Sequence, residues 1–221
     1  MLLLAACAVP PAGPEPATSR QAAPSAGPSA GSVGAVGAAE ADAASILLLR
    51  QTVAQQQAQI KPDGASAGGS FRAVQPAPGL QLRFGPSGVE ATPAEIRRTA
   101  LREARPEPAP AWRWRMALAG LGYAAEPPPV GEADLVLAGE RLEYRRGSVV
   151  EWYRNEPGRL EQGFTLPERP AGGPIGQPLR LTLTIDSDLT AHVDAAEQAV
   201  TWVDANGLVG LKYHGLRVVD A

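Results

Sequence analysis

Residues 141–166, RLEYRRGSVVEWYRNEPGRLEQGFTL, decide the fold. Leu142 and Tyr144 alternate with charged neighbours, and Arg145-Arg146-Gly147-Ser148 closes a hairpin onto Val150 and Trp152. Asn155, Pro157 and Gly158 form a second turn, and a third strand ends in Gly-Phe-Thr-Leu. Alternation with a period of two, punctuated by turn residues, is the mark of half-buried antiparallel strands.

The same pattern runs outward in both directions. Leu80, Leu82 and Phe84 alternate with Gln81 and Arg83, Gly85-Pro86-Ser87-Gly88 turns the chain, and Val89 begins the return. Trp112, Trp114, Met116 and Leu118 alternate with Arg113 and Arg115. Leu179, Leu181, Leu183 and Ile185 share one face, and Asp186-Ser187-Asp188 is expected to turn the chain onto Leu189, Ala191 and Val193. Val200 and Trp202 lead into Asp204-Ala205-Asn206-Gly207, a hairpin signal because Asn-Gly accepts positive φ. Leu216 and Val218 are expected in a last short strand. One helix interrupts: Thr92 as N-cap, Pro93 at the first helical position, Glu95 completing a capping box, and Pro106 ending it. Short strands at close turn spacing with one inserted helix predict an all-β antiparallel sandwich over residues 71–221.

The first third differs. Of 221 residues, 24 are Gly and 22 Pro, spread along the whole chain. Residues 8–44 are almost wholly Ala, Pro, Gly, Ser and Val, which bury too little to repay their ordering entropy, so a disordered linker is expected there. Residues 45–60 contain Ile46-Leu47-Leu48-Leu49 and then Val53, Ala54 and Ala58, which suit a short helix. The single cysteine excludes an internal disulfide. Leu4-Ala5-Ala6-Cys7 fits a bacterial lipobox, with Cys7 as the lipidated residue and residues 1–7 as the remnant of a signal whose true start lies upstream. Ala8 is not the aspartate that retains lipoproteins at the inner membrane, which favours the outer membrane or cell surface. A net charge of −3, with no basic patch interleaved with aromatics, argues against nucleic acid as a partner.

The chemistry is sparse. Glu151 and Glu161 flank one turn and could form a glycosidase carboxylate pair. Trp112, Trp114, Trp152 and Tyr153 could stack on a sugar, although tryptophans at strand spacing are first of all core anchors. Trp152 is expected in the core, with Tyr153 on the other face. Tyr153, Glu151 and Glu161 are therefore the candidate ligand-contacting residues. Asp186, Asp188 and Asp194 lack calcium-loop spacing, and His192 and His214 read as solvent-facing strand positions. Neither a cofactor, a metal site nor a catalytic residue is read from the sequence.

Glu151-Trp152-Tyr153-Arg154-Asn155, Gly158, and Leu160-Glu161-Gln162-Gly163-Phe164-Thr165-Leu166 together resemble a segment of large secreted bacterial proteins, in which an N-terminal β-sandwich precedes FG-GAP (integrin-α-like) or related β-propeller repeats. Phe71-Arg72-Ala73, Gly79-Leu80, Phe84, Gly88-Val89, the strand at residues 178–185, and Tyr213, Gly215, Leu216 and Asp220-Ala221 are similar to the rest of its layout. The resemblance covers residues 71–221 and carries no catalytic residues. It implies a non-catalytic domain of an exported surface (lipo)protein, supporting or presenting adhesion or binding repeats that would follow Ala221. The alternative is a carbohydrate-binding or carbohydrate-processing module.

Overall fold

The structure is a computed structural model, and it describes residues 33–64, 69–75, 79–94, 111–173, 176–196 and 198–219. Among the described residues the chain is an antiparallel all-β fold carrying one helix, α1 (Val33–Ala58). Six strands make the first sheet, in the order β1 (Lys61–Pro62), β2 (Phe71–Gln75), β3 (Leu80–Gly85), β4 (Gly88–Pro93), β5 (Trp114–Gly122) and β10 (Arg180–Ser187). The second sheet is β6 (Asp134–Ala138), β7 (Arg141–Arg146), β8 (Val149–Glu156) and β9 (Arg159–Thr165). A third, smaller sheet joins β11 (Thr190–Asp194), β12 (Ala199–Val203) and β13 (Val209–Tyr213).

One face of the six-stranded sheet packs against both smaller sheets. Ala73, Leu82, Phe84, Val89, Trp114 and Met116 share a core with Leu142, Tyr144 and Tyr153 of the second sheet and Trp202 and Leu211 of the third. Aromatic rings lock the layers at edge-on or tilted angles: Phe84 lies 5.4 Å from Tyr153, and Trp114 5.4 Å from Trp202. A satellite core of Leu118, Val149, Phe164 and Leu166 closes one end. Both hairpins expected in residues 141–166 are present, with Glu143, Trp152 and Gly163 in one cross-strand row.

Several expectations are corrected. The helix begins at Val33, so residues 33–44 are not an unstructured linker. This stretch is rich in alanine, the strongest helix former, which can propagate a helix without any large apolar residue. The expected helix at residues 92–105 loses its start, because Thr92 and Pro93 pair with Gln81 and Leu80 in β4; residues 95–110 lie outside the described residues. Asp186-Ser187-Asp188 makes no hairpin. The chain passes there from β10 in the first sheet to β11 in the third, and the two aspartates instead hold Arg113 at 3.1 and 2.9 Å. Leu216 and Val218 follow β13 as exposed irregular chain. His214 lies beyond the end of β13 with its Nε2 buried, not on a solvent-facing strand. The linker, Cys7 and the rest of residues 1–32 lie outside the described residues.

Candidate functional site

The inner face of the second sheet is unusually polar for a sandwich core. Strand alternation places Glu151, Tyr153 and Asn155 of β8 inward, together with Tyr144 and Arg146 of β7 and Gln162 and Phe164 of β9. All of these are buried. The Glu151 carboxylate accepts a 2.7 Å bond from Arg146 Nη1, a 2.6 Å bond from the Tyr153 hydroxyl and a 2.8 Å bond from Gln162 Nε2. Gln162 Nε2 also donates to the Tyr153 oxygen at 2.9 Å, and Gln162 Oε1 accepts from the Tyr213 hydroxyl at 3.1 Å. Tyr144, under the Arg146 guanidinium, donates to the Gly88 carbonyl at 3.1 Å. Burial first, and then the Glu151 charge, push the hydroxyl pKa values of Tyr144 and Tyr153 well above the ordinary tyrosine value and that of Tyr213 up to about 12.

These bonds span the molecule. Tyr213 ties the third sheet to the second, and Tyr144 ties the second to the β3–β4 turn of the first. A second cluster does the same at the other end of β8. The Gln75 side chain of β2 donates from Nε2 to Asn155 Oδ1 and to the carbonyls of Glu156 and Arg159, and its Oε1 accepts from Gly158 N–H at 2.9 Å. Asn155 donates to the carbonyl of Ala58, the last residue of α1, at 2.6 Å.

Trp152 and Tyr153 face opposite ways, as alternation requires, but the expected assignment is reversed. Tyr153 is 0% exposed in the inter-sheet core, and Trp152 lies on the outer face. Trp152 is nonetheless covered. Its ring rests over Gly163, where any Cβ would overlap it, and the Arg141 guanidinium lies 5.3 Å from its centroid. Arg141 is held in place by Glu143, which also binds Arg145. Burial alone would raise the Glu143 pKa, but its bonds to the Arg145 and Arg141 guanidinium groups outweigh that and hold it below the usual value.

The three candidate ligand-contacting residues therefore do not come together on a surface. Glu151 and Tyr153 are consumed inside the core, and Glu161 is on the outer face, bonded to Arg154 at 2.6 Å. Glu151 and Glu161 lie on opposite faces of one sheet and cannot flank a glycosidic bond as a pair. Trp112 and Trp114 are also buried, so they offer no stacking platform. Among the described residues, no three His, Cys, Asp or Glu side chains gather as a metal site requires.

Beside the polar network is a cavity of about 50 Å³ between the layers. Leu80, Leu82, Ala91, Trp114, Met116 and Trp202 form its apolar wall, and Tyr153, Gln162 and Tyr213 stand where it meets the network. Sequence reading missed Arg146, Gln162 and Tyr213. The available signal was that Glu151, Asn155 and Gln162 share a strand face with Tyr153 and Phe164, so their polarity was internal. Compared with protein-family models, curated proteins and solved structures, the chain matches none.

Proposed function

We propose that the chain is a non-catalytic domain of an exported bacterial surface protein. In this reading a lipid on Cys7 holds it to the cell envelope, an Ala/Pro/Gly/Ser-rich segment spaces it from the membrane, and the sandwich supports or presents binding repeats of the FG-GAP type. One observation carries the non-catalytic part of the reading. The groups with the most chemical potential, Glu151, Tyr153, Arg146 and Gln162, bind one another in the core and fasten the sheets. A carboxylate committed to three internal donors is a structural element. The carbohydrate alternative has less support, because Trp112, Trp114, Trp152 and Tyr153 are all buried.

The export half rests on the Leu4-Ala5-Ala6-Cys7 motif and the composition that follows it. It is tested by expressing the protein from its native gene and fractionating cells. The wild type is expected in the membrane pellet at high salt, and Cys7→Ser in the soluble fraction without processing. A Cys7→Ser protein that still pellets would overturn the lipid anchor.

A further inference from the structure

We propose that Asn206-Gly207 is a site of spontaneous deamidation, and that the hairpin around it sets the rate. The change is covalent and lies in the chain itself, so it is independent of export, anchoring and any ligand. It follows from how the two asparagines of the sequence, Asn155 and Asn206, are held.

The reaction needs a side-chain amide free to turn toward the backbone nitrogen of the next residue. At Asn206 the Gly207 nitrogen gives up its proton and attacks Cγ. A bond from Cγ to that nitrogen forms, the Cγ–Nδ2 bond breaks, and ammonia leaves. Water then opens the five-membered imide. Opening at the side-chain carbonyl gives aspartate, and opening at the main-chain carbonyl gives isoaspartate, whose backbone is one methylene longer. A side chain on the following residue crowds the ring closure, so glycine there favours it.

Asn155 does not meet these needs. It is buried, its Nδ2 donates to the carbonyls of Ala58 and Val74, its Oδ1 accepts from Gln75, and Glu156 follows it. Asn206 does meet them. It is exposed in the turn between β12 and β13, and its side-chain amide makes no hydrogen bond among the described residues. The space that a Cβ on Gly207 would take is open.

The turn restrains the attacking nitrogen. Three successive N–H groups bind one residue: Asn206 and Leu208 donate to Asp204 Oδ1 at 2.9 Å each, and Gly207 donates to the Asp204 carbonyl at 3.0 Å. Gly207 must leave that carbonyl before it can attack, and the bonds on either side oppose the move. One such bond is worth about a two- to tenfold factor in an equilibrium. The Asp204 carboxylate also disfavours a nearby nitrogen anion. Deamidation adds one negative charge, taking the net charge from −3 to −4, and sets a second carboxylate close to Asp204. Isoaspartate further lengthens a turn that Asp204 N–H closes on the Leu208 carbonyl at 2.9 Å.

The test incubates the full chain at neutral pH, native and in concentrated urea, and follows digested peptides by mass and by isoaspartate content. Asp63-Gly64 can form the same imide, but from aspartate and with no net change of mass, so the mass gain reports on asparagine. The peptide with Asn206 is expected to gain the mass of amide-to-acid conversion, and the native peptide with Asn155 is not. Conversion at Asn206 is expected to run about tenfold faster or more in urea than in the native protein. Asp204→Ala is expected to speed the native reaction about two- to tenfold and to leave the urea rate unchanged, which separates an effect of the fold from one of the sequence. Asp204→Ser keeps a weaker side-chain acceptor and is expected between wild type and Asp204→Ala, and it carries the test should the alanine variant fail to fold. No conversion at Asn206 in either state overturns the site. Equal native and urea rates overturn the restraint by the turn. A native rate unchanged in both Asp204 variants overturns the role of Asp204.

Discussion

Tyr153 and Trp152 show how far one position along a strand changes a side chain's duties. Tyr153 is packed against the rings of Phe84 and Tyr144 and bonds Glu151 and Gln162. Trp152 lies on the solvent side of the same sheet, between Gly163 and Arg141. Truncating Tyr153 to alanine opens a core cavity, expected to cost about 3–5 kcal/mol. Tyr153→Phe keeps the ring but leaves a buried carboxylate short of a donor, at about 1–3 kcal/mol. Trp152→Ala removes a ring whose neighbours can close over Gly163, and about 1.5–3 kcal/mol is expected. Urea unfolding of the three variants checks the order. A larger loss for Trp152→Ala than for Tyr153→Ala would restore the opposite facing of the strand. The sequence around these residues could not reveal the facing, because both aromatics are large and apolar. The deciding evidence was further along, in polar Glu151, Asn155 and Gln162, whose burial depends on partners from other strands.

Asn155 and Gln75 bring a strand end, a hairpin and a helix end together. Asn155 accepts from Gln75 and donates to the carbonyls of Ala58 and Val74, so the C-terminus of α1 is fastened by a residue of β8 about a hundred positions away. Asn155→Ala is expected to cost about 1–3 kcal/mol by leaving these buried groups unpaired. It is also expected to raise amide exchange selectively in residues 55–62, compared with β3 and β8. Uniform exchange across all elements would mean the helix end is held by something else. Strands were legible wherever one face stayed apolar, as in β3, β5 and β12, and both turns of residues 141–166 followed from Gly147 and Gly158 at positive φ. The destination of a strand was less legible. The link between β10 and β11 looks like a turn locally, but which sheet each strand joins is settled by tertiary pairing alone. Among the site residues, sequence reading offered Glu151 and Tyr153 as ligand-contacting, but both lie inside the core. It missed Tyr213 because the bond to Gln162 crosses between sheets.

The three sheets act as one body through groups that must stay in fixed protonation states. Tyr213, Tyr144 and Tyr153 all hold their protons more tightly folded than an exposed tyrosine near pH 10 would. Their folded pKa values are raised, so their contribution is complete below the unfolded pKa and is lost as pH rises through the folded values. Stability is therefore expected to fall from about pH 10 upward, with Tyr213 titrating first near 12. Melting temperatures followed from pH 8 to 12 check this, and Tyr213→Phe is expected to flatten the alkaline decline. Glu143 works in the other direction. Its depressed pKa adds stability above the unfolded value of about 4.5, and that share is lost as pH falls through the folded value. The most direct test of the whole arrangement compares two glutamates ten positions apart: Glu151, inside the sandwich with Arg146, Tyr153 and Gln162, and Glu161, outside with Arg154. In urea unfolding, Glu151→Ala is expected to cost about 3–5 kcal/mol, because it strands a buried guanidinium. Glu161→Ala is expected to cost about 1 kcal/mol, as for a half-buried pair on the outer face. Equal losses, or a larger loss at Glu161, would contradict a sandwich fastened from within by these residues.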